Sequence, residues 1–384
     1  MFGIHLNRAR EKIVAVADIG SGSAALAILA VPKEGPARLL AAKRSILPLE
    51  EREPAAIIAA IGRHLAETGQ QVLAEYRKQG GALPVSVYAV IRAPWTQSKT
   101  IAARITFPEP TKVSAAMISK LAQQAIASVA VEKDAVLEAG VIRVEMNGYP
   151  TAKPVGKPCS ELAVTALLSA CDSRLRDSAE AALRQLFGAR RITTRSGVHA
   201  ILSVMRGMPD VPEDYLVVDM ASEGSNFMVV RDSVTTEHGV STEGKTTILK
   251  RISPDGMMEH TVTLLRLIAR GECHDPACEA LSVAMAKTEP ELVRVFGEVI
   301  AKLVSRRRLP NHLILATHDD LAPWLSTLFS RIDFAQFTTT TQPFTVRALK
   351  PADFAHQILQ DNNVRADSAL LTAAALVHTE EGRS

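Results

Sequence analysis

The stretch Ile13–Val31, IVAVADIGSGSAALAILAV, restricts what this chain can fold into more than any other. Two apolar runs flank Ile19–Ser23, and the first run ends on Asp18. A membrane helix of this length would not carry Asp18, two glycines and two serines at its centre. Apolar runs bounded by turn residues read instead as two buried strands joined by a tight glycine turn. The turn leaves one carboxylate and a row of small residues at the strand ends. Gly20 and Gly22 let backbone N–H groups approach an anion, and Ser21 and Ser23 add hydroxyl donors. Taken alone, the same residues also describe an ordinary hairpin with an aspartate at its turn.

The pattern returns at Tyr215–Val230, YLVVDMASEGSNFMVV. An apolar strand ends on Asp219, a small-residue turn containing Ser222 and Glu223 follows, and a second apolar strand leaves. Two such hairpins far apart in one chain point to two related half-structures facing each other. A nucleotide clamped between the turns would account for carboxylates and small residues in both.

With 384 residues the chain has room for two sizeable lobes. Its 47% hydrophobic and 22% charged content is that of an ordinary globular protein. A net charge of +3 makes no electrostatic case for nucleic acid, and 4% aromatics supply no stacking platform for single strands. Four cysteines fit a reducing compartment. The N-terminal MFGIHLNRAREK lacks the order of a signal peptide, so a cytoplasmic location is expected.

Along the chain, Arg38–Leu47 reads as a third strand, Pro54–Gly80 as a helix and Val85–Ile91 as a further strand. Composition then changes. Ser114–Ala130 and Ser173–Phe187 read as helices. Val136–Glu145 and Glu161–Ala170 read as strands, separated by turns at Asn147–Pro150 and Pro154–Lys157. Met208–Glu213, MPDVPE, marks a lobe boundary. Beyond Tyr215, His238–Ile252 is a turn opening a helix. Met257–Arg270, Glu289–Leu303, Asp320–Arg331 and Ala366–Val377 read as helices, and Leu313–Ala316 as a short strand.

The two Asp-turn hairpins resemble the phosphate loops of the actin/Hsp70/sugar-kinase superfamily. The order of hairpin, helix, α+β insert, second hairpin and helix resembles the actin-like proteins of the PilM/FtsA type. The strand–N-G-Y–turn–P-x-G-x–strand–helix layout of Val141–Phe187 resembles their SHS2-type subdomain. The resemblance spans roughly residues 13–205 and 215–378. It implies an α/β, ribonuclease H-like two-lobed fold with an inserted SHS2-type subdomain. Lobe I would take 1–106 and 188–210, the insert 107–187, and lobe II 213–384. It also implies ATP and Mg²⁺ as cofactors. A nucleotide site would draw on Asp18, Gly20, Ser21, Gly22, Ser23, Asp219, Ser222, Glu223, Gly244 and Lys245, with Asp18 and Asp219 holding Mg²⁺. The terminal ADSALLTAAALVH would form the helix at the rear of that site.

Departures from the family pattern weaken the nucleotide site in three places. Ala25 stands where a lysine is common. Ala221 and Ser222 replace the two glycines of the second turn, and their side chains crowd a phosphate. Thr317–His318 replace the Gly-Gly that normally follows the LILA strand. Gly239–Thr246, GVSTEGKT, fits the Walker A pattern. A P-loop, however, follows a buried apolar strand, and Asp232–His238 is polar. In the actin-like arrangement these residues are a glycine turn opening a helix, with Lys245 still able to face an anion. Cys273–Cys278, C-H-D-P-A-C, lacks the second half of a metal site and reads as a loop between helices. Arg306–Arg308 suits a solvated helix end. No catalytic residue is assigned, because no triad is readable from spacing.

The resemblance, with these departures, implies a PilM-like scaffold of a type IV pilus assembly machine. Such a protein binds a short tail of a membrane-anchored partner beside the insert. It is recruited to the inner face of the membrane only indirectly, and self-association is left open. The alternatives are an FtsA-like division protein or an active actin-like or P-loop ATPase. The tail HTEEGRS is too polar to serve as the membrane-targeting helix of a division protein. The isolated protein is therefore expected to remain in the supernatant when sedimented with anionic liposomes. Salt-resistant co-sedimentation would restore the division-protein alternative.

Overall fold

The structure, a computed structural model, describes residues 11–47, 53–129, 132, 135–151, 153–189, 191–232, 234–253, 256–304, 307–361 and 363–382. Most of the N-terminal segment MFGIHLNRAREK, together with Ala130 and Arg306, lies outside them. The first apolar stretch forms β1 (Lys12–Ile19) and β2 (Ser23–Val31), and β3 (Ala37–Ile46) extends the meander. α1 (Pro54–Arg77) starts on a proline, where the missing N–H costs nothing. It buries Ile57, Ile61, Leu65 and Val72 and returns the chain to β4 (Ser86–Ile91), parallel to β1.

A second sheet repeats this plan. β10 (Tyr215–Met220) and β11 (Ser225–Arg231) form the hairpin, and β12 (Val234–Ser241) extends it antiparallel. β13 (His312–Ala316) lies parallel to β10 on the other side. The two orders, β3-β2-β1-β4 and β12-β11-β10-β13, are the same. β9 (Ile192–Ser196) and β14 (Thr345–Ala348) complete them at equivalent edges. The echo between the two aspartate turns is thus an internal repeat of topology. Asp232–His238, too polar for the buried apolar strand that precedes a P-loop, mostly lies in β12, an edge strand that tolerates polar side chains.

A third, four-stranded sheet is built from β5 (Thr96–Lys112), β6 (Val136–Met146), β7 (Tyr149–Pro150) and β8 (Pro158–Cys171). α2 (Ala115–Ala127) covers it through Leu121, Ala122 and Ala125. This sheet begins before residue 107. α3 (Ser173–Phe187), which the expected range 107–187 includes, packs elsewhere. Its Leu175, Ala179, Leu183 and Phe187 join α1 and the outer face of the first sheet. Likewise, β15 (Ile358–Gln360) and α9 (Ser368–Glu381), expected with 213–384, return to the first sheet. β15 pairs with β3, and α9 packs on β1 and β2. α9 shares one core with α4 (Gly197–Met205) and residues of both large sheets, including Val14, Leu29, Val217 and Met228. Ala373–Val377 are fully buried, as an all-round apolar helix must be.

The outer face of the second sheet carries α5 (Lys245–Ile252), α6 (Met258–Arg270), α7 (Pro276–Leu303) and α8 (Ala322–Phe329). α7 starts well before Glu289, capped by Asp275 and with Pro276 in its first turn, and runs through Pro290. Its Phe296 stacks in tilted contact with Phe227 and Phe329, and the chain of rings continues through Phe334 to Phe344. No helix among the described residues is long and apolar enough to cross a membrane.

A polar joint attaches the small sheet to the body. Glu138 of β6 accepts hydrogen bonds from the backbone N–H (3.1 Å) and hydroxyl of Ser196. The His199 ring reaches Glu138 at 3.2 Å and Glu380 of α9 at 3.5 Å, and Arg195 donates to Glu380 at 2.8 Å. Burial alone would raise the Glu380 carboxyl, but hydrogen bonds from His199 and Arg195 hold it at about 2. The folded value lies below the ordinary 4.5. The stability it contributes is therefore present at neutral pH and is lost as pH falls from about 4.5 towards 2. Glu380→Gln is expected to lower the thermal midpoint at neutral pH and to flatten its decline across that window. Equal acid slopes for variant and wild type in scanning calorimetry would refute this.

Candidate functional site

The two hairpins bring their turns together at the centre of the molecule. In both, the aspartate pairs across the hairpin with the residue seven positions on, Asp18 with Ala25 and Asp219 with Asn226. Equal registers place the two carboxylates at equivalent strand ends, 1% and 4% exposed. The turns then meet. A Cβ at Gly22 would stand 2.9 Å from the Cβ of Ser222, inside any real contact distance. A Cβ at Gly244 would stand 2.6 Å from the Ser222 carbonyl oxygen. Glycine at both positions is what allows the turns and the start of α5 to close on one another.

Several backbone donors at this junction are already used. Gly20 N–H donates to the Ser23 carbonyl at 3.0 Å, and Ala221 N–H to Gly224 at 2.8 Å. The first two N–H groups of α5, those of Lys245 and Thr246, donate to the carbonyls of Ala221 (2.9 Å) and Ser222 (2.8 Å). In a P-loop those two groups face a phosphate; here they cap the second turn. Ser21 is buried within the first turn, while Ser222 and Glu223 are half-buried in the second.

Two arginines contact Asp18, and one of them also reaches Asp219. Arg92, immediately after β4, donates through Nε to Asp18 at 2.5 Å and through Nη2 to the Ala369 carbonyl at 2.8 Å. Its Nη1 lies 3.4 Å from Asp219. Arg44 of β3 donates through Nη2 to Asp18 at 2.7 Å and through Nη1 to Ser23 Oγ at 2.7 Å. Its Nε and Nη2 also hold Asp367, the cap of α9, at 2.5 and 2.9 Å. Burial raises the Asp219 carboxyl, and Arg92 only partly offsets this. Burial would raise Asp367 too, but Arg44 keeps it below the ordinary range. The Arg92 guanidinium is buried and that of Arg44 is partly buried, which disfavours charge, yet the carboxylates hold both more firmly protonated than usual.

Lys245 belongs to a neighbouring cluster. Its Nζ lies 3.4 Å from Asp320 Oδ2. Asp320 also takes Arg266 Nε at 2.6 Å and His318 Nδ1 at 2.8 Å. Burial would raise Asp320, but hydrogen bonds from His318 and Arg266 hold it well below the usual carboxylate range. Burial lowers Lys245, and Asp320 offsets only part of that. The residues named from the sequence thus fall into two groups. Asp18, Gly20–Ser23, Asp219, Ser222, Glu223 and Gly244 converge at the junction, and the Lys245 ammonium turns to Asp320.

Sequence reasoning passed over Arg44 and Arg92. For Arg92 the signal available was a cation directly after a strand of buried residues, whereas Arg44 lies in β3, most of whose residues are not buried, and carries no such signal. Arg44 stands opposite Ala25, so a charge absent from β2 is supplied by β3. Cys273 and Cys278, read as part of a plain loop, are joined by a disulfide with Cα atoms 5.9 Å apart. Cys159 and Cys171 are buried thiols. Among the described residues no group of three or more His, Cys, Asp or Glu side chains is arranged to hold a metal ion. Of the implied Mg²⁺ ligands, Asp18 is bonded to two guanidiniums and Asp219 lies beside one. The residues as they stand fit a guanidinium better than a hydrated cation.

No protein-family model matches the chain, and no curated protein matches it. Solved structures do. A PilM–PilN type IV pilus biogenesis complex aligns over 98% of this chain and 99% of that one, with 16% identity and a TM-score of 0.55. The ethanolamine utilization protein EutJ from Carboxydothermus hydrogenoformans aligns over 97% and 92%, with 12% identity and a TM-score of 0.48. A Bacteroides thetaiotaomicron protein with an actin-like ATPase fold aligns over 98% and 99%, with 7% identity and a TM-score of 0.40. The chain has the two-lobed α/β fold of the actin-like superfamily, with similarity to the PilM structure.

The Asp320 cluster yields a direct test. Asp320→Ala leaves the largely buried Lys245 without its carboxylate. Breaking a buried pair costs about 3–5 kcal/mol, and the half-exposed Arg266 reduces the figure to about 2–3 kcal/mol here. Urea denaturation is expected to show that loss; a change below about 0.5 kcal/mol would mean the cluster is incidental.

Proposed function

We propose that this protein is an actin-fold scaffold that binds a short tail of a membrane-anchored partner and whose nucleotide cleft has degenerated. The observation that carries this reading is the use of the junction's backbone donors. A phosphate clamp in this fold needs N–H groups aimed into a gap between two turns. Here Gly20, Ala221, Lys245 and Thr246 donate to neighbouring carbonyls, and Gly22 abuts Ser222. Hydrolysis needs more than binding, so an ATPase is the weaker reading of the same residues.

For the partner we read the small sheet with α2 as the SHS2-type insert. Its β5 and β6 lie alongside the edge strand β12 of the second lobe. Ile105, Val141 and Val240 on these strands are large apolar residues left 41–54% exposed. A peptide tail recognised there would cover them. The similar PilM structure is of a complex with PilN, which supports a membrane-anchored partner in a pilus assembly machine. The protein itself would be cytoplasmic, recruited to the inner face of the membrane through that partner.

Calorimetric titration with Mg·ATP is expected to give heats of dilution only. Micromolar binding that Asp18→Ala abolishes would overturn the degenerate cleft. A synthetic N-terminal peptide of a membrane-anchored PilN-type protein is expected to bind. Val240→Asp is expected to weaken it by about tenfold or more, the loss of roughly 1.4 kcal/mol at a central contact. Unchanged affinity would move the partner site elsewhere.

A further inference from the structure

We infer that Arg92 is the resident ligand of the inter-lobe cleft: its guanidinium, backed by Arg44, holds the two lobes closed where other members of the fold would rely on a bound molecule. This rests on the proposed degenerate cleft only in its comparison with a bound molecule. The geometry stands by itself.

Arg92 is 8% exposed and reaches three separate parts of the molecule. Nε is on Asp18 of the first sheet, Nη1 faces Asp219 of the second sheet, and Nη2 is on the carbonyl of Ala369 in α9. One planar fork thus joins both lobes and the helix between them. A lysine, as a single point charge, cannot do this. Arg44 fixes the other side of Asp18 and ties it to Asp367. Two guanidiniums and three carboxylates make a nearly balanced cluster. Removing Arg92 leaves Asp18 and Asp219 facing each other with one cation fewer, and the two lobes are then pushed apart at the turns. Opening admits water to both carboxylates, so the molecule has a route to relieve the repulsion without unfolding.

The test measures lobe separation. Leu83→Cys in the first lobe and Ile332→Cys in the second, both exposed, accept spin labels. Cys159 and Cys171 are buried, and the remaining two cysteines are bonded to each other. Pulsed dipolar spectroscopy on the labelled chain without added ligand is expected to give one narrow distance distribution. Arg92→Ala is expected to shift it upward by several ångströms and broaden it, with far-ultraviolet dichroism unchanged. Millimolar guanidinium ion is expected to restore the narrow distribution in that variant, whereas urea, a neutral molecule of the same shape, is not. A purely packing role for Arg92 would not respond to guanidinium. Should Arg92→Ala fail to fold, the double variant Asp18→Asn/Arg92→Gln removes both charges and leaves a shorter, uncharged polar side chain in place of the guanidinium. Its distribution is expected to broaden as well, because the bridge to Asp219 is gone. An unchanged distribution in whichever variant folds, or equal rescue by urea, overturns the inference. Neither result bears on the scaffold reading, which stands or falls on ATP and peptide titration.

Discussion

Two carboxylates buried near each other within an apolar core require compensation, and the arrangement of this molecule follows from how it is supplied. The hairpin repeat brings Asp18 and Asp219 to equivalent strand ends at the centre of the fold. Water is excluded there by the core that α4 and α9 share with both sheets. Isolated charges in such a place would cost several kcal/mol each. The balance comes from Arg92 and Arg44, which arrive from the ends and neighbours of adjacent strands rather than from the turns themselves. The close contact of the turns and the position of the α9 cap are compatible with this one charge cluster. The side chains that join the lobes are thus the same ones that neutralise the site.

Much of this was legible beforehand, and for physical reasons. Ile13–Val31 and Tyr215–Val230 combine apolar runs with small-residue turns, and few structures other than a buried hairpin accommodate them. α3 follows helical periodicity so clearly that Ser173 and Phe187 are its ends both in expectation and in fact. The less legible parts depend on long-range contacts. The polarity of Asp232–His238 hides an edge strand, because strand pairing there is decided by β11 and not by local composition. Glu289–Leu303 reads as a separate helix, yet α7 begins at Pro276 and passes through Pro290, held by Leu281, Leu292 and Phe296 in the second core. The role of Arg92 is invisible in VIRAP, because its acceptors lie far away at Asp18, Asp219 and Ala369.

The two halves also show how a repeat diverges while its topology persists. In the first half a cation on β3 faces the turn. In the second half β12 offers Val240 at the corresponding place beside Asn226, and the nearby cation, Lys245, is engaged with Asp320. The backbone plan is the same, but the electrostatics have become one-sided. A symmetric pair of turns is suited to surrounding a charged guest. An asymmetric pair is suited to holding its own side chains, and it is this asymmetry that the actin-like fold tolerates without loss of architecture.

The return of the last residues to the first sheet has a consequence for how the chain acquires its structure. β15 pairs with β3, and α9 lies against β1 and β2, so the first sheet lacks an edge and a covering layer until the second lobe has been made. Contacts of such sequence separation are slow to form, because a very long loop must close first. During synthesis the exposed inner face of β1 and β2, rich in alanine, valine and leucine, waits for a helix that emerges after the second lobe. The first lobe cannot mature independently of the second. The first sheet is thus completed by segments that follow the second lobe in the chain.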